Sequence, residues 1–439
     1  MKIIHTSDWH LGQNLMFKDR KKEHEMFLDW LFRQIMDESP NALIVAGDIF
    51  DASTPPNHAL RIYYTFLSRV AANASCHVII VGGNHDSASA LNAPKRILES
   101  LNVHVSGGSS KNIEDDLILV KDPLGTPLAM VCATPFLRDK EIRKSFPGES
   151  YTQKNKALID GIKRRYEAIR DAAMEKIRRL DNPNIPLIAT GHLFATGGQT
   201  HQDDGLREIH VGSLGDIPAS IFPKEFDYVA LGHLHRPQKI EGPTHIRYSG
   251  APIPLSFSEA ENKKQATLVE WNPAEWNLAE WNPAEWNPAE WNSKAPQPLI
   301  RSLPIPCFQK LCAVKGSLEH VLQKMTACRK EIPQNDIRVE AQVMEETWRP
   351  DIEARIHALA ETLSMDILAI KNIESARQRR LKKESPHETL DDFSPMDVFK
   401  KRLEKETDMT PEIKADLIHA FAEIETLARQ NTAPNIWEP

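Results

Sequence analysis

The sequence predicts an α/β protein: a large layered domain to about residue 260, a small βαβαβ unit over residues 305–374, and two helices at the end. Three observations carry this. In the first 260 residues short apolar runs of β type alternate with segments of helical period, the pattern of a layered α/β domain. Residues 305–374 repeat the alternation on a smaller scale. The last stretch keeps only a helical period.

Taken in order, the strands of the large domain are notable for how they end. Ile3-Ile4-His5-Thr6-Ser7 runs into Asp8-Trp9-His10. Residues 23–36 follow, with Met26, Phe27, Trp30, Leu31 and Ile35 on one face of an amphipathic helix. Ala42-Leu43-Ile44-Val45-Ala46 runs into Gly47-Asp48, and residues 57–70, after Pro55-Pro56, set Leu60, Tyr63, Tyr64 and Leu67 on one side of a second helix. His77-Val78-Ile79-Ile80-Val81 ends at a glycine pair and then Asn84-His85-Asp86; residues 90–101 predict a third helix. Strands near 103–106, 117–120 and 128–134 have no helical crossover between them, so part of the sheet is expected to be antiparallel. A long charged helix over 154–180 precedes Pro186-Leu187-Ile188-Ala189-Thr190, which ends in Gly191-His192. After an irregular Gly- and Asp-rich stretch to 225, Tyr228-Val229-Ala230-Leu231 ends in Gly232-His233-Leu234-His235.

Residues 261–304 read as a connecting hairpin, with strands at 266–270 and 299–303. Between them Trp recurs with period five at 271, 276, 281, 286 and 291. Proline in most units excludes helix and strand, and a tandem expansion in the hairpin loop accounts for it; the Glu in each unit argues against a phosphate-binding surface. The βαβαβ unit has strands at 311–315, 337–344 and 367–373 and helices at 317–331 and 350–363, with no cluster of metal ligands, so substrate positioning or contact is its expected work. A basic linker over 375–392 leads to residues 393–439, whose last helix sets Ile413, Leu417, Phe421, Ile424 and Leu427 on one stripe, for its own protein or a partner helix.

Composition bounds the rest. At 439 residues, 41% hydrophobic and 26% charged, the chain has the balance of a soluble globular protein with room for two or three domains. It opens directly in a strand, so no signal peptide is expected, and no apolar run approaches the roughly 18 residues of a membrane span. Five cysteines without a C-x-x-C pair point to reduced thiols in the cytoplasm. A net charge of −7 excludes global attraction to nucleic acid. Local basic stretches (18–22, 163–165, 178–179, 377–383) would have to supply it, though a solvated helix face explains each one singly.

Five strand-like runs deliver Asp8, His10, Asp48, Asn84, His192, His233 and His235 at their carboxyl ends. A lone Asp-x-His or Gly-His means little; the ordered set is a metal site. Mixed carboxylate, amide and imidazole donors suit Mn²⁺ or Fe/Zn better than Ca²⁺ or Mg²⁺, and the lack of cysteine ligands argues against structural zinc. Phosphoester hydrolysis calls for such a set, because two divalent ions roughly 3.5–4 Å apart activate water and neutralise the phosphate. His85, beside Asn84 but pointing elsewhere on an extended backbone, is free to protonate the leaving oxygen. His24, His58, His77, His104 and His201 read as surface or hydrogen-bonded histidines.

This ordered set resembles that of the calcineurin-like metallophosphoesterases. The stretches His5-Thr6-Ser7-Asp8-Trp9-His10-Leu11-Gly12-Gln13, Val45-Ala46-Gly47-Asp48-Ile49-Phe50-Asp51 and Ser249-Gly250-Ala251-Pro252-Ile253-Pro254-Leu255-Ser256-Phe257 are similar to the signatures of the bacterial SbcD exonuclease subunits. The resemblance implies a layered β-sandwich flanked by helices, with residues 305–374 as a DNA-capping domain. It implies one ion held by Asp8, His10 and His235, another by Asn84, His192 and His233, Asp48 bridging, His85 as the catalytic imidazole and Asp86 as its orienting partner. It further implies Mn²⁺-dependent cleavage of duplex DNA ends, single strands and hairpins. The partner implied is an SMC-like ATPase, SbcC, which stimulates with ATP and on which the last helices dock, around a dimer of this subunit whose contacts would lie on residues 57–73 and 88–101. Some branches of the wider group carry a histidine where this chain has Asp51, so the resemblance assigns that position no role. A small-molecule phosphodiesterase of the same fold, or a non-catalytic scaffold for the ATPase, are the competing readings.

Overall fold

The computed structural model describes residues 1–372 apart from 144–145, 147, 181–184, 196–216, 241–244, 273–296, 332–335 and 346–350; beyond 372 it describes only 373, 396, 399, 403, 414, 417, 418, 420 and 421. The chain divides into two units, Met1–Asn372 and Ile373–Pro439.

In the first unit the elements run β1 (Lys2–Thr6), the hairpin β2 (Asn14–Leu15) and β3 (Lys18–Asp19), α1 (Lys21–Glu38), β4 (Ala42–Ala46), α2 (Asn57–Asn73) and β5 (His77–Val81). Two short helices, α3 (Ala88–Asn92) and α4 (Lys95–Glu99), lead to β6 (Val103–Ser106), β7 (Leu117–Lys121) and β8 (Pro127–Cys132). Then come α5 (Asp139–Ile142), the long α6 (Tyr151–Arg178), β9 (Leu187–His192), β10 (Tyr228–Gly232), β11 (Gln238–Ile240), β12 (Ile246–Tyr248), β13 (Gln265–Glu270) and β14 (Leu299–Pro304). The small unit follows as β15 (Lys310–Gly316), α7 (Leu318–Glu331), β16 (Ile337–Val343), α8 (Asp351–Thr362) and β17 (Met365–Asn372). The single helix expected over 90–101 is two, because Pro94 has no N–H for the ladder and crowds the preceding turn; it starts α4 instead.

Two six-stranded sheets face each other, in the orders β14-β13-β1-β4-β5-β6 and β11-β12-β10-β9-β8-β7. The run β1-β4-β5-β6 is parallel, as is the run β8-β9-β10-β12, and the antiparallel partners sit at the edges, β7 on β8 as expected and β13 on β1. Side chains alternate strictly. Ile3, Ile44, Ile79, Ile188, Tyr228 and Ala230 fill the space between the sheets. Their neighbours Ile4, Leu43, Val45, Val78 and Ile80 pack under α1 and α2, and Leu187, Ala189, Val229 and Leu231 pack under α6. Being covered on both faces is why these strands read as unbroken apolar runs. Together they make a four-layer α-β-β-α sandwich, the layered fold the sequence predicts.

The strands of the connecting hairpin are thus the edge of the first sheet. Trp271, the first of the repeat, is 1% exposed in the inter-sheet core, edge-on to Tyr228 at 6.5 Å, and its backbone pairs with Met1. The remaining repeat tryptophans lie outside the described residues. The small unit is a parallel sheet, β15-β16-β17, with α7 and α8 packed on it. The 375–392 linker also lies outside the described residues. Of the last helix's stripe Leu417 and Phe421 are described, and Phe421 stacks on Phe399 at 4.2 Å. The five cysteines are free thiols, and among the described residues no helix is long and apolar enough to cross a membrane.

Candidate metal centre

All seven expected ligands and His85 sit where parallel strands end, at the carboxyl edge of both sheets, where α/β sheets collect ligands. The loops after β1 and β4 run side by side: Asp8 N–H bonds the Gly47 carbonyl and His10 N–H that of Asp48, each at 3.0 Å. Asp8, His10, Asp48 and His233 all have positive φ (53°, 45°, 49° and 99°), a conformation L-residues avoid. Strain of this kind collects at functional sites, where surrounding contacts over-determine the backbone. Two glycines permit the crowding. A Cβ on Gly47 (φ +91°) would lie 2.1 Å from the His192 ring, and one on Gly232 would lie 1.9 Å from the Ala46 carbonyl.

Outer partners fix how each imidazole is turned. His10 Nδ1 meets the Asp51 carboxylate at 3.1 Å, His192 Nδ1 the Ala46 carbonyl at 2.9 Å, and His235 Nδ1 the Glu259 carboxylate at 3.0 Å. Each bond leaves Nε2 to face inward, the arrangement of metal-binding histidines whose second nitrogen is hydrogen-bonded. His10 Nε2 is buried and makes no hydrogen bond. His192 Nε2 and His233 Nδ1 both point at the Asn84 amide oxygen, at 3.0 and 3.1 Å. Ligand atoms of Asp8, His10 and His235 lie within 4.8 Å of one another, as do those of Asp8, Asp48 and His192. Asp8 and Asp48 are buried, and the ion pairs of Asp48 are with His192 (3.2 Å) and His10 (3.6 Å). Two buried carboxylates among inward-facing imidazoles fit divalent cations, which would balance charge that burial otherwise penalises.

The electrostatics agree. Burial alone would raise the Asp48 carboxyl, but the His192 imidazolium beside it holds it well below the usual range. Against the same burial, Asp48 keeps His192 protonated up to about 9, a charge that a cation replaces. His233, desolvated and next to His192, is pushed down to about 3 and so stays neutral, its lone pair available.

One expectation is corrected. Asp86 does not orient His85. Its buried carboxylate accepts the N–H groups of Gly83 (2.9 Å), Phe50 (3.0 Å) and Ile49 (3.1 Å), tying the β4 and β5 loops together. Its oxygens are thereby committed to backbone donors; burial and the charge of Asp48 push it up to about 6. His85 Nδ1 is held instead by the Asp51 carbonyl at 2.8 Å, while its backbone N–H bonds Asp48 at 3.0 Å. Asp51 therefore positions two rings, His10 by its side chain and His85 by its main chain. The sequence marks this position without giving it a role, since a backbone carbonyl leaves no signature. Glu259 escapes sequence reasoning altogether: nothing in the polar stretch around it marks it as the partner of His235. Ser7 and Ser249 complete the setting, hydrogen-bonded to each other at 2.8 Å with Ser7 also on Asp8. Of the bland histidines, His77 and His104 pair with each other at 3.0 Å away from the site, at the β5–β6 edge.

Comparison with known proteins places the chain in a family. The family model described as calcineurin-like phosphoesterase matches residues 1–237, and that of the type 5 capsule protein repressor C-terminal domain (SbcD_C) matches 307–407. The SbcD component of nuclease SbcCD from Escherichia coli K12 is 34% identical over 435 residues, covering 99% of this chain and 100% of the relative. The Rhodobacter capsulatus protein of the same description is 37% identical over 62% of this chain and 66% of its own, and that of Bacillus subtilis 33% over 62% and 67%. With its first half matched by the phosphoesterase family and an end-to-end likeness to a nuclease subunit, this chain belongs to the calcineurin-like phosphoesterases and, within them, to the SbcD nuclease subunits, metal-dependent phosphodiesterases.

Proposed function

We propose that this subunit cleaves DNA with two divalent ions, most naturally Mn²⁺, acting on duplex ends as an exonuclease and on single strands and hairpins as an endonuclease. Asp8, His10 and His235 would hold one ion, Asn84, His192 and His233 the other, with Asp48 shared by both. The observation that carries this reading is the convergence of Asp8, His10, Asp48, His192 and His235, with Asn84 and His233 beside them, and the outer partners that pre-turn the His10, His192 and His235 rings. Bound ions would activate water and neutralise the phosphate's non-bridging oxygens. The remaining work falls to the chain. Asp51 and Ala46 keep His10, His85 and His192 in fixed tautomers. His85, with Nδ1 anchored, presents Nε2 to hold a proton for the leaving oxygen.

By this reading the protein works in the cytoplasm, in DNA repair and recombination, as a homodimer with an SbcC-like SMC ATPase that stimulates cleavage with ATP. The description of its relatives as one component of nuclease SbcCD supports a two-component enzyme, and the free thiols suit a reducing compartment. Exposed Tyr64, Ile97 and Leu101 lie on the segments assigned to the dimer contact. Residues 305–374 act as the cap over DNA, and 393–439 dock on the ATPase. The basic stretches offer modest support: Lys18 pairs with Asp366, Lys163 with Glu167, and Arg178 and Arg179 with Glu175, while 377–383 lie outside the described residues.

The test is Mn²⁺-dependent cleavage of end-labelled linear duplex and hairpin DNA, with and without the ATPase partner. Cleavage is expected to require Mn²⁺ and to vanish in Asp48→Ala. Intact DNA with turnover of a small phosphodiester would overturn the DNA assignment and leave the metal site standing.

A further inference from the structure

The metal ligand His235 is tied to the small parallel-sheet unit by one short segment, residues 257–264. At its start is a 3-10 turn, Phe257–Glu259, whose two ends face opposite ways. Glu259, 1% exposed, holds the His235 ring at 3.0 Å and accepts from the Leu255 backbone and the Lys264 ammonium. Lys264 reaches the His235 carbonyl at 3.4 Å, and Ala251 N–H bonds that carbonyl at 3.1 Å. His235 is thus gripped at ring and backbone.

Two residues before Glu259, Phe257 packs the other way. It forms a small separate core with Leu15 of the β2–β3 hairpin and Leu311 of β15, joined by Met16, Ala260 and Leu368 of β17. Leu311 is 1% exposed. Around this core Lys310 pairs with Glu261 (3.3 Å), Lys18 with Asp366 (3.2 Å), and Arg338 of β16 donates to the Asp19 carbonyl (2.9 Å). At the far end of the segment, Ile305 N–H bonds the Lys264 carbonyl at 2.9 Å, on the chain entering the small unit.

We propose that the seating of the small unit sets the orientation of His235, through Leu311, Phe257 and Glu259. The inference rests on the reading of His235 as a metal ligand. A unit that docks squarely presses Phe257 into place and holds Glu259 against the ring; a unit that tilts releases both. Motion of the unit that faces DNA is thereby converted into metal affinity at the His235 position. Phe257 and Glu259 are positioning residues in this scheme.

The measurement is Mn²⁺ binding to the full chain without DNA, by calorimetry and electron paramagnetic resonance. His235→Ala and Glu259→Gln should each weaken one of the bound ions, Glu259→Gln by about 10- to 100-fold, as for other partners of metal-binding histidines. Leu311→Ala, which touches no ligand, should weaken the same ion about threefold or more, and Leu311→Met, which keeps the volume, should restore it. Val321→Ala, a comparable cavity inside the small unit's own core, should leave binding as in the parent. Unchanged binding in Leu311→Ala, with His235→Ala weakened, would overturn the coupling alone. Equal weakening in Val321→Ala would overturn it too, by showing general destabilisation. Unchanged binding in His235→Ala would instead remove His235 from the metal site.

Discussion

The two sheets of the sandwich contribute differently to the centre they share. The first, through the loops after β1, β4 and β5, brings both carboxylates, the Asn84 amide, His10 and His85. The second, through β9 and β10, brings imidazoles alone: His192, His233 and His235. The carboxylates come from the first sheet only while both sheets supply imidazoles, so the groups Asp8–His10–His235 and Asp8–Asp48–His192 each draw on both sheets. Where the loops interlock, the bonds cross between sheets: His233 N–H to Asp8 (2.9 Å), and His192 to Ala46 and Asp48. A cation bound there binds only the closed sandwich, and by mass action stabilises it.

Four substitutions break or sharpen this contrast, in descending order of effect. His85→Gln removes a first-sheet imidazole that is not a ligand in our reading: DNA cleavage should fall about 10²- to 10⁴-fold while Mn²⁺ stoichiometry by calorimetry stays at the parent value. Retained cleavage would take His85 out of the chemistry. Asp51→Ala loosens His10 within the first sheet, and metal affinity should drop about 10- to 100-fold, with His192→Ala as the second-sheet comparison. Gly232→Ala forces a methyl against the Ala46 carbonyl across the sheets; thermal unfolding should show a loss of about 2–3 kcal/mol, and chelation of metal should matter less in it than in the parent.

Asp227→Asn probes the second sheet alone, through pH. The Asp227 carboxylate accepts the Leu187 N–H at 2.7 Å, joining β9 to β10, and burial pushes it up to about 7. Between about pH 4 and 7 the folded protein holds a proton that the unfolded chain has lost, so this group's contribution falls as pH rises through that window. Asn still accepts the bond but does not titrate. Its unfolding free energy, measured by urea titration from pH 4 to 8, should lack this decline, which runs at up to about 1.4 kcal/mol per pH unit within the window. An equal slope in both proteins would show that Asp227 does not control it.

Much of this is legible in the sequence because it is local. Apolar runs such as Val78 to Val81 declare buried strands, and a strand ending in Gly-Asn-His-Asp marks where the candidate site gathers. What escapes depends on chain brought from afar or on groups every residue has. Glu259 meets His235 only because Lys264 and the 3-10 turn fold it back. Asp51 steadies His85 with a carbonyl, and Asp86 spends its carboxylate on backbone donors that no side-chain motif reports. The period of the repeat groups Trp271 with its copies, though its partner Tyr228 makes it part of the inter-sheet core.

The pairing of β13 with β14 has an evolutionary consequence. Glu270 and Leu299 are direct partners, and Glu270 also faces Lys2, at the end of the first sheet away from Asp8 and His10. The strands that flank the repeat are therefore paired side by side, far from the chemistry. Doubling such an insertion adds only about 0.6 kcal/mol of closure cost. Slippage during gene copying, gaining or losing whole five-residue units, keeps the reading frame and leaves strand register untouched. Copy number at this position is accordingly free to drift, and strains differing in it should carry equally active enzymes.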